Sequence, residues 1–397
     1  MPWLETNAVM ERQQFIGDFE SGQWSMSELC EHYGVSRTTG YKWLERYGQA
    51  GRAGLRDRSR APRSCPHKTP ARVVELILQD SDKHGWGARK VLTRLSRHHP
   101  ELELPARSTV FDILERHGRV KHKRRRKHWK HPGAVPIETS APNDVWTADF
   151  KGQFRTRNRV YCYPLTIVDH HSRYLLGCQG LLSVKTALTR PVFAQLFREV
   201  GLPLAIRTDN GPPFASNGIH GLTSLNVWWM QLGIVHQRIE PASPQQNGAH
   251  ERMHRTLKAR TTRPPSKNLN CQQRAFNHFR REFNEERPHE SLGDQVPASL
   301  WKASTRRYPD KIPPPEYPGH FELRRVSEAG CFRINNSQIF LSNPLTNEYI
   351  ALEEIDDGLW NIFYYDTLLG RVDERTKQIT GAHGSPKKCQ PCTRTKC

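Results

Sequence analysis

Three carboxylates are spaced so that together they could hold a divalent cation. Asp149 lies inside the strand-like run Val145-Trp146-Thr147-Ala148-Asp149-Phe150. Asp209 follows the apolar run Leu202 to Ile206, broken by Pro203, and precedes the sharp turn Asn210-Gly211. Glu251 stands in Ser243-Pro244-Gln245-Gln246-Asn247-Gly248-Ala249-His250-Glu251-Arg252, which opens a helix. Asp209 comes 60 residues after Asp149, and Glu251 42 residues after Asp209. An isolated Asp-Asn-Gly is ordinary turn chemistry. Three acids on separate elements can do more, because carboxylates are the hard oxygen ligands that Mg²⁺ prefers. Two such ions roughly 3.5–4 Å apart activate a water or hydroxyl and steady a leaving oxygen in phosphodiester cleavage.

The elements that must position these acids run from Pro142 onward. Strands are expected over Val145–Lys151, Arg159–Ile167, Ser172–Gly177, Leu204–Thr208 and Ile234–Gln237, and helices over Thr186–Val200, Thr223–Leu232, Gln245–Lys258 and Cys271–Glu286. Three hairpin-like strands followed by alternating helices and strands give a mixed sheet covered by helices. Three other acids compete for the site. Asp144 precedes the apolar part of its strand and reads as a cap or a solvent-facing acid. Asp169 follows Ile167-Val168 and reads as a strand-end turn residue. Glu240 stands before Pro241 at a strand exit, with no helix to hold it, whereas Glu251 shares a helical face with Asn247, Arg255 and Lys258. Arg255 and Lys258 could grip DNA phosphates beside the metals.

Four segments in order carry a family resemblance: Asn143-Asp144-Val145-Trp146-Thr147-Ala148-Asp149-Phe150, Thr208-Asp209-Asn210-Gly211, Gln245-Gln246-Asn247-Gly248, and Phe283-Asn284-Glu285-Glu286-Arg287-Pro288-His289. With these the chain resembles the DDE (integrase catalytic core) transposases of bacterial insertion sequences and the retroviral integrases, from Pro142 to about Leu300. The gap between Asp209 and Glu251 is longer than is common in the family, and the extra length fits an insertion around Asn217 to Ser224. The resemblance implies a ribonuclease H-like fold. It implies two Mg²⁺ ions, with Mn²⁺ as a stand-in, Asp149 bridging both while Asp209 and Glu251 each complete one site. It implies a transposase that binds the ends of its insertion sequence, cleaves the DNA strand and joins the 3′-hydroxyl to target DNA. A helix-turn-helix transcriptional regulator and a catalytically inactive relative remain as alternatives.

The rest of the chain fits a polyanionic partner. Formal net charge is +20 over 397 residues, which favours nucleic acid or an anionic membrane. No basic amphipathic helix is evident, so double-stranded DNA is the expected partner, bound by a homo-oligomer. Residues 1–50 read as a helix-turn-helix domain: a helix over Glu11 to Phe19, then Ser27 to Tyr33, the turn residue Gly34, and a second helix from Ser36 that presents Arg37, Thr38, Thr39 and Lys42 to a DNA groove while Tyr41 and Leu44 pack inward. A linker (51–69) leads to a second helical DNA-binding module (70–118), where Ser108 is expected to cap the last helix and Val110, Phe111, Ile113 and Leu114 to pack. The basic linker 119–141, with Arg124, Arg125 and Arg126, would add salt-sensitive grip on phosphates. After the core (142–302) come a Pro-rich linker (303–320), a small β-barrel (321–376) and a disordered tail (377–397). The tail cysteines Cys389, Cys392 and Cys397 with His383 have no core to fix them as a zinc knuckle, and the nine cysteines read as free thiols. No apolar run is long enough to span a membrane, and Met1 to Glu5 lacks signal-peptide features, so a cytoplasmic, nucleoid-associated protein is expected.

Overall fold

The computed structural model describes residues 7–60, 68–120, 139–216, 221–239 and 248–381. The chain divides into two compact units, Met1–Pro70 and Ala71–Cys397. The first holds three helices: α1 (Ala8–Glu20), α2 (Met26–His32) and α3 (Arg37–Ala50). Ser25 and Glu28 form a capping box on α2, and Ser36 caps α3, so the sharp Gly34-Val35 turn is fixed from both sides. α3 packs through Gly40, Trp43, Leu44 and Tyr47, one face at helical spacing. A Cβ on Gly40 would lie 2.8 Å from Cys30 Sγ, so glycine is what lets the two helices close. Tyr41, expected inside, is rotated off that face and is 58% exposed. The expected linker begins later than 51: a 3₁₀ turn, Gly51–Leu55, carries Leu55 into the core.

The second unit opens with α4 (Ala71–His84), α5 (Ala88–His98) and α6 (Arg107–Arg116), packed on Val73, Ile77, Val91, Leu95, Val110, Ile113 and Leu114. Ser108 lies inside the first turn of α6, and the cap position falls to Ala106, which makes no side-chain bond. Phe111 points away from this core and is 40% exposed. The module is docked by charge on the segment that follows α10. Arg94 bridges the buried Asp80 and Glu286 at 2.6 and 2.8 Å, Arg89 reaches Glu290 and Asp294, and His84 faces Glu282 at 3.2 Å.

The sheet comprises β1 (Val145–Phe150), β2 (Phe154–Arg155), β3 (Tyr161–Asp169), β4 (Leu175–Leu181), β5 (Ala205–Thr208) and β6 (Val235–Arg238). Across it the order is β4-β3-β1-β5-β6, with β2 pairing the start of β3. β4, β3 and β1 are antiparallel; β1, β5 and β6 are parallel, so the sheet is mixed as expected. Helices α7 (Thr186–Val200) and α8 (Ser224–Gln231) cover one face through Phe193, Phe197, Leu225 and Trp229. On the other face lie α9 (Gly248–Thr261) and α10 (Leu269–Arg281), with Met253, Leu257, Phe276 and Phe279 against Val168 and Leu175. Asp144 accepts bonds from Ser140 and Ala141 and closes the turn into β1. Asp169 accepts from Asn143 and Ser172 at the end of β3, the turn role expected of it.

The Pro-rich stretch is not a free spacer. Tyr308 and Ile312 pack on the sheet core, and Arg306 donates to the carbonyls of Pro203, Leu232 and Gly233. Beyond it lie β7 (Glu322–Arg325), β8 (Cys331–Ile334), β9 (Ser337–Phe340), β10 (Tyr349–Asp356), β11 (Leu359–Tyr364), β12 (Thr367–Asp373) and β13 (Gln378–Gly381). The expected barrel does not close. The strands form an open antiparallel sheet, β13-β12-β11-β10-β7, and a separate β8-β9 hairpin. Phe332, Ile334 and Ile339 of the hairpin share one apolar cluster with Ile350, Ile362 and Val372, so the hairpin covers the sheet face that closure would otherwise bury. β13 also shortens the expected tail: Lys377, at φ +56°, turns the chain back and Ile379 pairs with Val372. Cys30, Cys162, Cys178 and Cys271 are free thiols; the tail candidates Cys389, Cys392, Cys397 and His383 lie outside the described residues. Among those residues no helix is long and apolar enough to cross a membrane.

Candidate active site

Strand register decides where the first two acids meet. In the parallel pair β1 and β5, Ala148 sits opposite Thr208. The next residues along the two chains are Asp149 and Asp209, so both carboxylates emerge on one face at the carboxyl ends of adjacent strands. Open α/β sheets place ligands at such strand ends. The turn after β5 is tied to the end of β6 by Asn210 Nδ2, which donates to Ile239 O at 2.7 Å. Phe214, just beyond, is buried between Phe150 and Trp229.

Glu251 is exposed in the first turn of α9, a helix fastened by Met253 and Leu257. Its neighbours His250 and His254 are buried and reach into the sheet. Thr166 Oγ1 lies 2.7 Å from Nε2 of each imidazole and 3.1 Å from the Asp149 carbonyl. A hydroxyl has one proton and two lone pairs. Given to the carbonyl, that proton leaves Thr166 to accept from both imidazoles. Nδ1 of His250 then accepts from Thr147, 3.0 Å away, whose one proton is turned from the Val168 carbonyl at 3.3 Å, and Nδ1 of His254 faces Asp149 Oδ2 at 3.7 Å. Burial pushes the His254 imidazole down to about 3, and holds His250 well below its ordinary range, so both stay neutral.

The acids repel one another. The Asp149 carboxyl is pushed up to about 7, first by burial, then by the charge of Asp209, and also by that of Glu251. A backbone hydrogen bond at Phe150 pulls the other way. Asp209 is raised by burial. A rise of that size at Asp149 corresponds to a charge unfavourable by on the order of 4 kcal/mol. Among the described residues, the group whose ligand atoms all lie within 4.8 Å of one another is Asp149, His250 and His254, and not the three acids. His250 has both ring nitrogens committed to threonine hydroxyls.

Comparison with known proteins identifies the domains. Models described as an integrase core domain match residues 139–244 and 232–297, a helix-turn-helix domain matches 11–63, and a homeodomain-like domain matches 39–114. The uncharacterized 39.2 kDa protein of insertion element IS476 from Xanthomonas euvesicatoria is 28% identical over 270 residues, 66% of this chain and 73% of that one. The uncharacterized 31.7 kDa protein of insertion element IS407 from Burkholderia multivorans is 27% identical over 244 residues, 58% of this chain and 79% of that one. These matches support a DDE transposase of an insertion sequence. A solved structure, the catalytic core domain of HTLV-2 integrase in complex with magnesium, is similar at 19% identity and a TM-score of 0.33, covering 41% of this chain and 99% of that one.

In this transposase Arg37, Thr38 and Lys42 are exposed along the start of α3, while Thr39 is half-buried and its hydroxyl bonds Ser36 at 2.9 Å. Arg255 and Lys258 are exposed on α9, four and seven residues beyond Glu251. Arg124, Arg125, Arg126 and Glu240 lie outside the described residues, as do Asn217 to His220 of the expected insertion. Sequence reasoning missed the support of Asp149 by Thr147, Thr166, His250 and His254. The available signal was a histidine pair four residues apart, His250 and His254, flanking Glu251 at the spacing of one helix turn.

Proposed function

We propose that this transposase binds the ends of its insertion sequence as an oligomer, cleaves a DNA strand and joins the freed 3′-hydroxyl to target DNA. In cleavage a water oxygen bonds to phosphorus and the bond to the 3′ oxygen breaks. In joining, the 3′-hydroxyl bonds to a target phosphorus and a target 3′-hydroxyl leaves. One phosphodiester is exchanged for another, so joining requires no external energy source. The observation that carries this reading is the pair Asp149 and Asp209 on adjacent strand ends, with the Asp149 proton affinity raised by burial first and by the charge of Asp209 next.

That crowding fits divalent cations, since like charges with hard oxygens lose their mutual repulsion when an ion lies between them. Asp149, Asp209 and Glu251 would hold two Mg²⁺ ions, or Mn²⁺ in their place, with Asp149 shared. Bound there, the ions would supply Lewis-acid activation of the attacking oxygen and charge relief at the leaving one. The chain's own residues do the positioning. Thr166 holds the Asp149 backbone, His254 confines its carboxylate from one side, and Met253 and Leu257 keep Glu251 on a fixed helix. Arg255 and Lys258 would hold phosphates, and α3 would read the element end from a major groove.

The test is to incubate the full chain with duplex DNA containing the element ends and Mg²⁺ and to map nicks. The expected result is strand breaks at the ends, lost in Asp149→Asn with end binding retained. End binding with no nicks under any divalent metal would favour the regulator or inactive-relative reading.

A further inference from the structure

A cavity of about 440 Å³ lies on the far side of the α9 histidines. Its walls include Thr147 and His250, the same residues that back Asp149. Four cations enter it from four separate segments: Lys90 from α5, Arg173 from the β3–β4 turn, Arg252 from α9, and Arg287 from the segment after α10. Lys90, Arg173 and Arg287 are half-buried. Among the described residues none of the four makes an ion pair. The cavity's one carboxylate, Glu290, is already engaged by Arg89 at 2.5 Å. Phe283 and Met253 give it an apolar wall.

Half-buried cations with no carboxylate in direct contact are costly to keep unless an anion completes them. Burial lowers the proton affinity of Lys90, Arg173 and Arg287 alike and outweighs the carboxylates farther off, Asp294 and Glu290 for Lys90, Asp169 for Arg173 and Glu282 for Arg287; neighbouring cations add to the lowering at each. An oxyanion relieves that cost, and the guanidinium forks of Arg173 and Arg287 match phosphate oxygens. A duplex is too wide for this volume, but a backbone phosphate and its sugar are not.

We propose that this cavity is a docking site for a phosphodiester of a DNA strand, its phosphate held by Lys90, Arg173, Arg252 and Arg287 and its sugar set against Phe283 and Met253. The proposal rests on the DNA-cutting function proposed above. It differs from the grip expected of Arg255 and Lys258, which lie on the exposed side of α9, because here one wall is α5. The strand would thus be clamped between the second helical module and the catalytic core.

The full chain in EDTA, which stops cleavage, is titrated with fluorescent end-containing duplex between about 50 and about 200 mM salt. Lys90→Gln and Arg287→Gln are each expected to weaken binding severalfold and to make the slope of log K against log salt shallower by about 0.9, the share of one phosphate. Lys90→Arg and Arg287→Lys keep the charge and should keep the wild-type salt slope, with Arg287→Lys losing less affinity than Arg287→Gln but giving up the guanidinium fork. If Arg287→Gln fails to fold, the Lys90 pair decides. Unchanged affinity and slope in the Gln variants, with wild-type binding intact, overturn the cavity proposal and leave the DNA-cutting function standing. A wild-type chain that binds no DNA overturns both. Calorimetry with inorganic phosphate separates the sources: phosphate binding lost in the Gln variants while their DNA affinity is unchanged would assign the cavity to a free anion and overturn the DNA assignment.

Discussion

The carboxylate site and the cationic cavity share α9 as a wall, and each gathers like charges. They are built differently. Asp149 and Asp209 are short side chains at strand ends, one backed by a hydroxyl and two neutral imidazoles. Lys90, Arg173, Arg252 and Arg287 are long side chains from four segments, one of them in a module docked by ion pairs. Short acids on packed strands lose little freedom when they bind and hold fixed geometry, which metal chemistry requires. Long cations spend rotamer entropy but can follow a flexible backbone. The acidic side is thus suited to a reaction coordinate and the basic side to a strand.

Sharp breaks in this comparison come from the acids. Removing the metal with EDTA, or changing Asp149→Asn or Asp209→Asn, is expected to take cleavage below detection while end binding persists; a variant that cuts normally removes its residue from the site. Next in size, Glu251→Gln should lower the cleavage rate by orders of magnitude and Glu240→Gln far less, measured in single-turnover assays. The reverse ranking would move the third ligand to Glu240. Thr166→Val leaves two buried imidazoles without their acceptor, so cleavage should fall roughly 10–100-fold, as for support of a metal ligand. Thr166→Ser should recover most of it, and a valine variant at full rate would make the network a packing feature alone. Arg94→Met cuts the tie between Asp80 and Glu286, and should loosen DNA binding as Lys90→Gln does without changing the rate at saturating DNA. A changed rate there would couple the two sides of α9. The smallest effect belongs to Arg255→Gln, which should flatten the salt slope by about 0.9 and little else.

Much of the catalytic core was legible because its signals are local. The helix Thr186–Val200 has the bounds its apolar spacing predicts, and Thr223 caps α8 one residue inside the expected start. Asp149 and Asp209 could be paired because each follows a recognisable strand, but their shared face depends on register, which no local pattern supplies. The histidine network escaped notice for the same reason: Thr147 and Thr166 read as ordinary strand residues until β1 and β3 are laid side by side. Tyr41 and Phe111, expected to pack, face outward, since one step of helix rotation sets each off the buried face. Barrel closure is a long-range property, and the hairpin that replaces it carries the same alternating pattern as a barrel strand. The cavity cations were invisible in sequence, since Lys90 and Arg287 meet only when the second module docks on the core.

Helix α8 has one further consequence. Leu225 and Trp229 belong to the mixed-sheet core, while Leu222, just before it, and Val227 belong to the apolar cluster of the C-terminal sheet. Gln231 donates to Tyr364 and Glu348 of that sheet. One helix therefore has both sides covered, and the two bodies it joins should melt in a single cooperative transition. The helical unit Met1–Pro70, with its own core around Ile16, Leu29 and Leu55, is free to melt separately. Ending the chain within 303–320 would bare Leu222 and Val227 to water, so such a truncated core should aggregate unless both positions are made polar.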